Sequence, residues 1–327
     1  LSPHDPDVQV WDELPDDQKQ LFTRMMEVWA GFVTYTDEQF GRILDFLKDI
    51  GELDNTLIML ISDNGASPEG GVNGTLNEND FFNFIEANLE DNLAAIDDLG
   101  SPEHYNHYAW GWANAGNTPF KRWKKETFRG GTSDPFILSW PAKIEAAGEF
   151  RTQYGHAIDM VPTVLDLLGI DPPESIKGVK QEPIEGVSLA PTAHDADAPD
   201  VHATQYYEVL GSRSIYHQGW RAECGYPGPD YKTGKERGRS VGDAIHADTI
   251  EQLDKEWQLF DLSKDTTQVH DLAKELREKL KEMIDLWYSE ARKYNVLPLQ
   301  GTIGQRTTFP RPMPGRATDK HVYFPGA

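Results

Sequence analysis

The chain has a single cysteine, Cys224, so no disulfide can form within it and thiol usage does not reveal a redox compartment. No apolar stretch approaches the roughly 20 residues that a membrane-spanning helix needs, so no membrane span is expected. Basic residues are in short supply: 31 Lys and Arg stand against 54 Asp and Glu, a formal net charge of -23 at pH 7. Such a chain repels a polyanion, and no nucleic-acid partner is expected. The first residues, LSPHDPDVQVW, carry no initiator Met, no basic region and no apolar segment, so they do not read as a signal peptide. They are expected to be the interior of a longer protein, and localisation stays open. What the chain does have is material for a sizeable core: 327 residues, 38% hydrophobic, with 9 Trp and 14 Phe. That length suits one large domain or two ordinary ones.

Apolar residues from Leu21 to Ile50 recur at three- and four-residue spacing, which predicts one long helix or two abutting ones over 16–50. Leu57 to Ile61 is an unbroken apolar run and predicts a strand covered on both faces, as in a parallel sheet. Residues 72–118 read as an insertion with an acidic, partly helical middle and an aromatic end, HYNHYAWGWANAG. PFILSW (135–140) predicts a second buried strand, and HAIDMVPTVLDLLGI (156–170) a helix with Pro162 in its first turn and Gly169 at its end. A Pro-, Asp-, Ala- and Gly-rich stretch near 172–202 marks a boundary. Beyond it lie short antiparallel strands over 203–223, a strand at 257–262, a helix over 269–294 and a Gly-, Pro- and Arg-rich tail expected to be extended.

Asp63, Asn64 and Gly65 end the first strand. The triplet is good turn chemistry. It also places two hard oxygen donors where α/β sheets carry their chemistry, just past a strand's carboxyl end, and such donors suit a divalent cation. The insertion's His104, His107, Trp110 and Trp112 could line a substrate mouth, where rings stack on an aryl group, or could form a self-packed loop. His156 and Asp159, three apart at a helix start, read as structural, because free backbone N–H groups there satisfy a carboxylate.

Four segments stand in order: LISDNGASPEGG, TPFKRWKKETFRGGTSDPFILSWP, QYGHAIDMVPTVLDLLGI and WQLFDLSKDTTQVHDLA. Together they resemble the sulfatase family, and specifically the large bacterial arylsulfatases. The resemblance implies an α/β fold. Residues 1–200 would be the later part of an alkaline-phosphatase-like sandwich with a mainly parallel sheet. Residues 201–327 would be a smaller α+β domain with an antiparallel sheet, a helix and the extended tail. It also implies metal-dependent hydrolysis of a small-molecule sulfate ester by a formylglycine nucleophile, with calcium rather than magnesium as the ion. Asp63 and Asn64 match the family's second metal-ligand pair. Lys124, six residues before Gly130-Gly131, matches its sulfate-contacting lysine, and His107 and Trp110 fall where the substrate mouth is shaped.

The formylglycine pattern, Cys/Ser-x-Pro-x-Arg, is missing. Cys224 sits in CGYPG, with the proline one place late, and Ser133 in SDPFI, with Ile137 where arginine belongs. Arg129 replaces an acidic residue usual before the two glycines. The nucleophile and the first metal-binding pair are therefore expected in an N-terminal half of the same enzyme, which would be this chain's partner, and the chain alone is expected to be inactive. Two other readings stay open. One is a phosphonate or phosphate ester hydrolase of the same superfamily. The other is a non-catalytic fragment that binds a partner.

Overall fold

A computed structural model describes residues 1–82, 85, 87–225, 256–297 and 299. The extended tail falls outside the described residues, apart from residue 299.

The long periodic segment is one continuous helix, α1 (Asp16–Asp49). Pro15 precedes it, Asp16 and Asp17 occupy its first turn and Lys48 its last, so charge matches the helix dipole at both ends. Gly51, at φ +76°, follows its end. Its first turns bury Leu21, Phe22 and Met25 against Leu99, Tyr108, Trp110, Ala113 and Trp123, which form one hydrophobic core. Trp112 donates its indole N–H to Phe22 O at 2.8 Å, tying the end of the insertion to α1. Further along, the apolar stripe leaves this core, and Phe32 and Phe46 are 60% and 61% exposed.

After α1 come β1 (Ile58–Ile61), α2 (Trp110–Gly116) and β2 (Phe136–Ser139). The strands β1 and β2 pair antiparallel, with Ile58 opposite Ser139 and Ile61 opposite Phe136. The apolar run does form a strand, but it is not covered on both faces: Leu60, Ile61, Phe136 and Ile137 are exposed. The reason is that, among the described residues, this sheet consists of these two strands alone. Of the mainly parallel sheet, the described residues thus hold only this antiparallel pair.

Helix α3 (Met160–Leu168) ends on Gly169 in the left-handed conformation, φ +66°. At its start the fully buried Asp159 accepts the backbone N–H of His156 (2.8 Å) and Val187 (2.9 Å) and faces His202 Nδ1 at 2.8 Å. His156 and Asp159 are structural, as expected.

A second core lies under a four-stranded antiparallel sheet in sequential order, β3 (Thr204–Val209), β4 (Ser212–His217), β5 (Trp220–Cys224) and β6 (Gln258–Asp261). Two-residue loops, Leu210-Gly211 and Gln218-Gly219, make the first two hairpins with positive φ at both positions, the backbone that matches strand twist. Helix α4 (Arg277–Lys293) covers one face. Its Met283, Trp287 and Ala291, four residues apart, are buried with Ile215, Ala222, Cys224 and Leu259.

Candidate active site

Past β1 the ladder continues for one more bond, Ser62 N–H to Pro135 O at 3.2 Å. Extending the register puts Asp63 opposite Asp134. The chain then turns: Ser62 Oγ donates to Asn64 O at 3.0 Å, and Asn64 Nδ2 donates to Gly65 O at 3.1 Å, which leaves Oδ1 as the amide's ligand-type atom. Burial, reinforced by the negative charge of Asp63, pushes the Asp134 carboxyl up to about 7. Among the described residues, no three His, Cys, Asp or Glu side chains converge on a metal site.

The second motif packs directly on the first. Gly65 N–H points to Gly131 O (3.4 Å), Lys124 N–H donates to Ala66 O (3.1 Å), and Ala66 N–H donates to Asn117 Oδ1 (2.9 Å). The contact is closer than side chains allow. A Cβ on Gly65 would lie 1.8 Å from Gly130 O, and one on Gly130 would lie 2.1 Å from Arg122 O. Glycine is required at both positions because backbone meets backbone.

The basic stretch is not a solvated face. Arg122 pairs with Asp5 (3.2 Å) and Asp7 (2.8 Å). Lys121 lies 5.2 Å from the centre of the Phe260 ring. Lys124 Nζ is 2.7 Å from Glu69 Oε2, and Lys125 Nζ is 3.3 Å from Glu69 Oε1. Glu69 is 5% exposed. Burial raises its pKa, but the Lys125 charge and hydrogen bonds from Lys124 and Ser67 outweigh this and hold it at about 2. Burial pulls Lys125 down to about 8 against the attraction of Glu69. The sequence did not single out Glu69 or Asp134. A carboxylate two residues after Ser67 reads as loop chemistry until the fold brings Lys124 to it.

The four-stranded sheet holds this loop from behind. The buried Arg221 donates to Glu223, to Thr127 O and to Thr132 Oγ1 (2.9 Å). Thr127 N–H donates to Ser212 Oγ at 3.1 Å, Arg129 N–H to Gln268 Oε1 at 3.2 Å, and Gln268 Nε2 to Glu223 Oε1 at 2.9 Å. Arg129, where an acidic residue was expected, also donates to Thr266 O at 2.6 Å.

The structure therefore brings Asp63, Asn64 and Lys124 onto adjoining segments. Lys124 keeps 32% of its side chain exposed. His107 is half-buried next to Gly70, with Nδ1 3.0 Å from Tyr108 O. Trp110 requires a correction. It is 2% exposed and stacks on Trp123 at 5.9 Å, so its ring belongs to the core and is not presented to a substrate. It opens α2, whose buried Trp110 and Ala113 share one core with Trp123.

Comparison with known proteins shows where these motifs belong. The family model described as Sulfatase matches residues 1–170. The chain belongs to the sulfatase family. A sulfatase relative is an uncharacterized sulfatase of Schizosaccharomyces pombe, 30% identical over 289 residues, which are 85% of this chain and 45% of that protein. Another is an arylsulfatase of Klebsiella aerogenes, 30% identical over 186 residues, 55% of this chain and 37% of its own. A third is an N-acetylglucosamine-6-O-sulfatase of Bacteroides thetaiotaomicron, 26% identical over 277 residues, 84% of this chain and 37% of its own. This sulfatase chain thus spans less than half the length of these relatives. A solved structure described as bound to its substrate D-glucosamine-2-N,6-O-disulfate aligns with a TM-score of 0.46 at 20% identity, over 82% of this chain and 40% of that one.

Proposed function

We propose that this chain is the later portion of a metal-dependent sulfuric ester hydrolase of arylsulfatase type. The observation that carries the reading is the packing of the Asp63-Asn64 turn against the Lys124–Gly131 loop, backbone on backbone, so that two oxygen donors and one ammonium stand on adjoining segments. The donor set fits a hard divalent cation, calcium rather than magnesium, since calcium accepts neutral amide and carboxylate oxygens in flexible geometry. Asp63 and Asn64 would hold the ion. When bound, it would polarise the sulfate oxygens.

Lys124 would hold a sulfate ester by its anionic oxygens and stabilise charge that grows on the departing oxygen. Its backbone is held by the bond to Ala66, and its ammonium lies 2.7 Å from Glu69 Oε2. His107 would border the same mouth. The formylglycine nucleophile and the remaining ligands would come from the family's N-terminal half. That half would also cover the exposed apolar surface of α1, β1, β2 and α3, where Phe32, Phe46, Leu60, Ile137 and Val161 face solvent. No described helix is long and apolar enough to cross a membrane.

The test is a pair of variants in the full-length protein. Asp63→Ala should weaken metal binding, and excess calcium should recover part of its activity. Lys124→Ala should keep its metal content and lose a factor of roughly a hundred to a thousand in kcat. If Lys124→Ala turns over an aryl sulfate at the parent rate, the sulfate-contact role is wrong. If Asp63→Ala binds calcium as the parent does, the ligand role is wrong.

A further inference from the structure

Lys124 does not stand alone. Six residues beyond Asp63, on the same segment, Glu69 turns its carboxylate inward beneath the basic loop. It is among the buried charged residues, and a buried carboxylate persists only when it is paired and hydrogen-bonded. Three groups meet its carboxylate: Ser67 Oγ donates to Oε2 at 2.8 Å, Lys124 Nζ donates to the same oxygen at 2.7 Å, and Lys125 Nζ lies 3.3 Å from Oε1. The backbone that carries it has no slack. Glu69 N–H donates to Ser67 Oγ at 3.2 Å, and a Cβ on the following Gly70 would lie 2.1 Å from Tyr108 O.

The two lysines are not equivalent. The Lys125 side chain is 12% exposed and the Lys124 side chain 32%. Two ammoniums meet one carboxylate, and Lys124 is the one that reaches outward.

We propose that Glu69 is the positioning residue for Lys124. Its carboxylate, neutralised by the more buried Lys125, fixes where the Lys124 ammonium meets an anionic substrate. The proposal rests on the reading of Lys124 as the sulfate contact. A free Lys side chain has several rotatable bonds, and a misplacement of about 1 Å at a charge contact can cost on the order of a hundredfold in rate. Glu69 removes that freedom by holding the ammonium from below, leaving its outer face for the substrate.

The experiment is a double-mutant cycle in the full-length protein on a chromogenic aryl sulfate. Glu69→Gln keeps the shape and Ser67 contact but removes the charge. In the parent it should lower kcat about tenfold or more, with a smaller change in KM. In a Lys124→Ala background it should cost less than about twofold, because a residue that acts through Lys124 has nothing left to act on. Glu69→Asp keeps the charge on a shorter reach, and if Glu69→Gln does not fold it enters the same cycle with the same expectation. Equal fold-losses in both backgrounds, or no loss in the parent, would overturn the proposal while leaving an impaired Lys124→Ala, and so the sulfate-contact role, intact. A fully active Lys124→Ala would sink both.

Discussion

Replacing Gly65 by alanine attacks the join between the two motifs. The added Cβ would stand 1.8 Å from Gly130 O, 2.8 Å from Gly130 C and 3.1 Å from Gly131 Cα, where ordinary contact begins near 3.4 Å. The two segments would have to part by about 1.6 Å, the gap between 1.8 and 3.4 Å, since neither neighbour is a side chain that can swing away. Parting them lengthens the Gly65–Gly131 bond, already 3.4 Å, and strains the Lys124–Ala66 bond of 3.1 Å. Two backbone hydrogen bonds at about 1 kcal/mol each, with about 1–3 kcal/mol for overpacking, give a loss of about 3–5 kcal/mol. Urea unfolding with an unchanged slope measures it directly. Gly41→Ala is the control: nothing lies within 4 Å of its added Cβ, and it sits inside α1, so it should stabilise by about 0.5–1 kcal/mol. A Gly65→Ala protein within about 0.5 kcal/mol of the parent, the size of an ordinary surface change, would refute the backbone-on-backbone contact and with it the site.

Arg221→Ala should cost about 3–5 kcal/mol in urea unfolding, because it leaves Glu223, whose carboxyl burial already pushes up to about 7, without its cation. Trp110→Ala should cost about 3–5 kcal/mol and Trp110→Phe much less; near-parental stability of the alanine variant would place the ring outside the core. The His202–Asp159 pair carries a pH signature. The hydrogen bond to Asp159 raises His202 above its ordinary 6.5, so its contribution is complete below that value and fades as pH climbs through the raised one. Burial pushes Asp159 up, but the bonds from His202, Val187 and His156 prevail and lower it below 3.8, so its contribution is complete above 3.8 and fades as pH falls through the lowered value. The unfolding free-energy gap between parent and His202→Ala should therefore be widest near pH 5 and shrink toward pH 9, and a gap independent of pH would contradict the pairing.

Local patterns in the sequence led to the elements that are set by local physics. The Asp-Asn-Gly turn, the Pro162 and Gly169 limits of α3, and the Met283, Trp287 and Ala291 stripe of α4 each follow from a residue's own conformational preference or from helical spacing. Misread features depend on partners far away in the chain. β1 looks buried because its residues are all apolar, yet burial depends on sheet neighbours and not on the strand itself. Trp110 reads as a mouth residue because it lies in an aromatic segment after the Asp-Asn motif, and only its stacking on Trp123 reveals a core position. Arg122 and Lys124 likewise find their carboxylates, Asp5, Asp7 and Glu69, only through the fold, because these partners are distant in sequence.

The central claim is that the Asp63-Asn64 turn and Lys124 serve sulfate-ester hydrolysis. The most direct measurement is inorganic sulfate released by the full-length protein from aryl and sugar sulfates, before and after chelation. The account predicts sulfate release that stops when divalent ions are removed, returns with calcium, and is crippled in Lys124→Ala without loss of bound metal. Hydrolysis of phosphate or phosphonate esters with no sulfate release, or sulfate release indifferent to chelation and to Lys124, would contradict it.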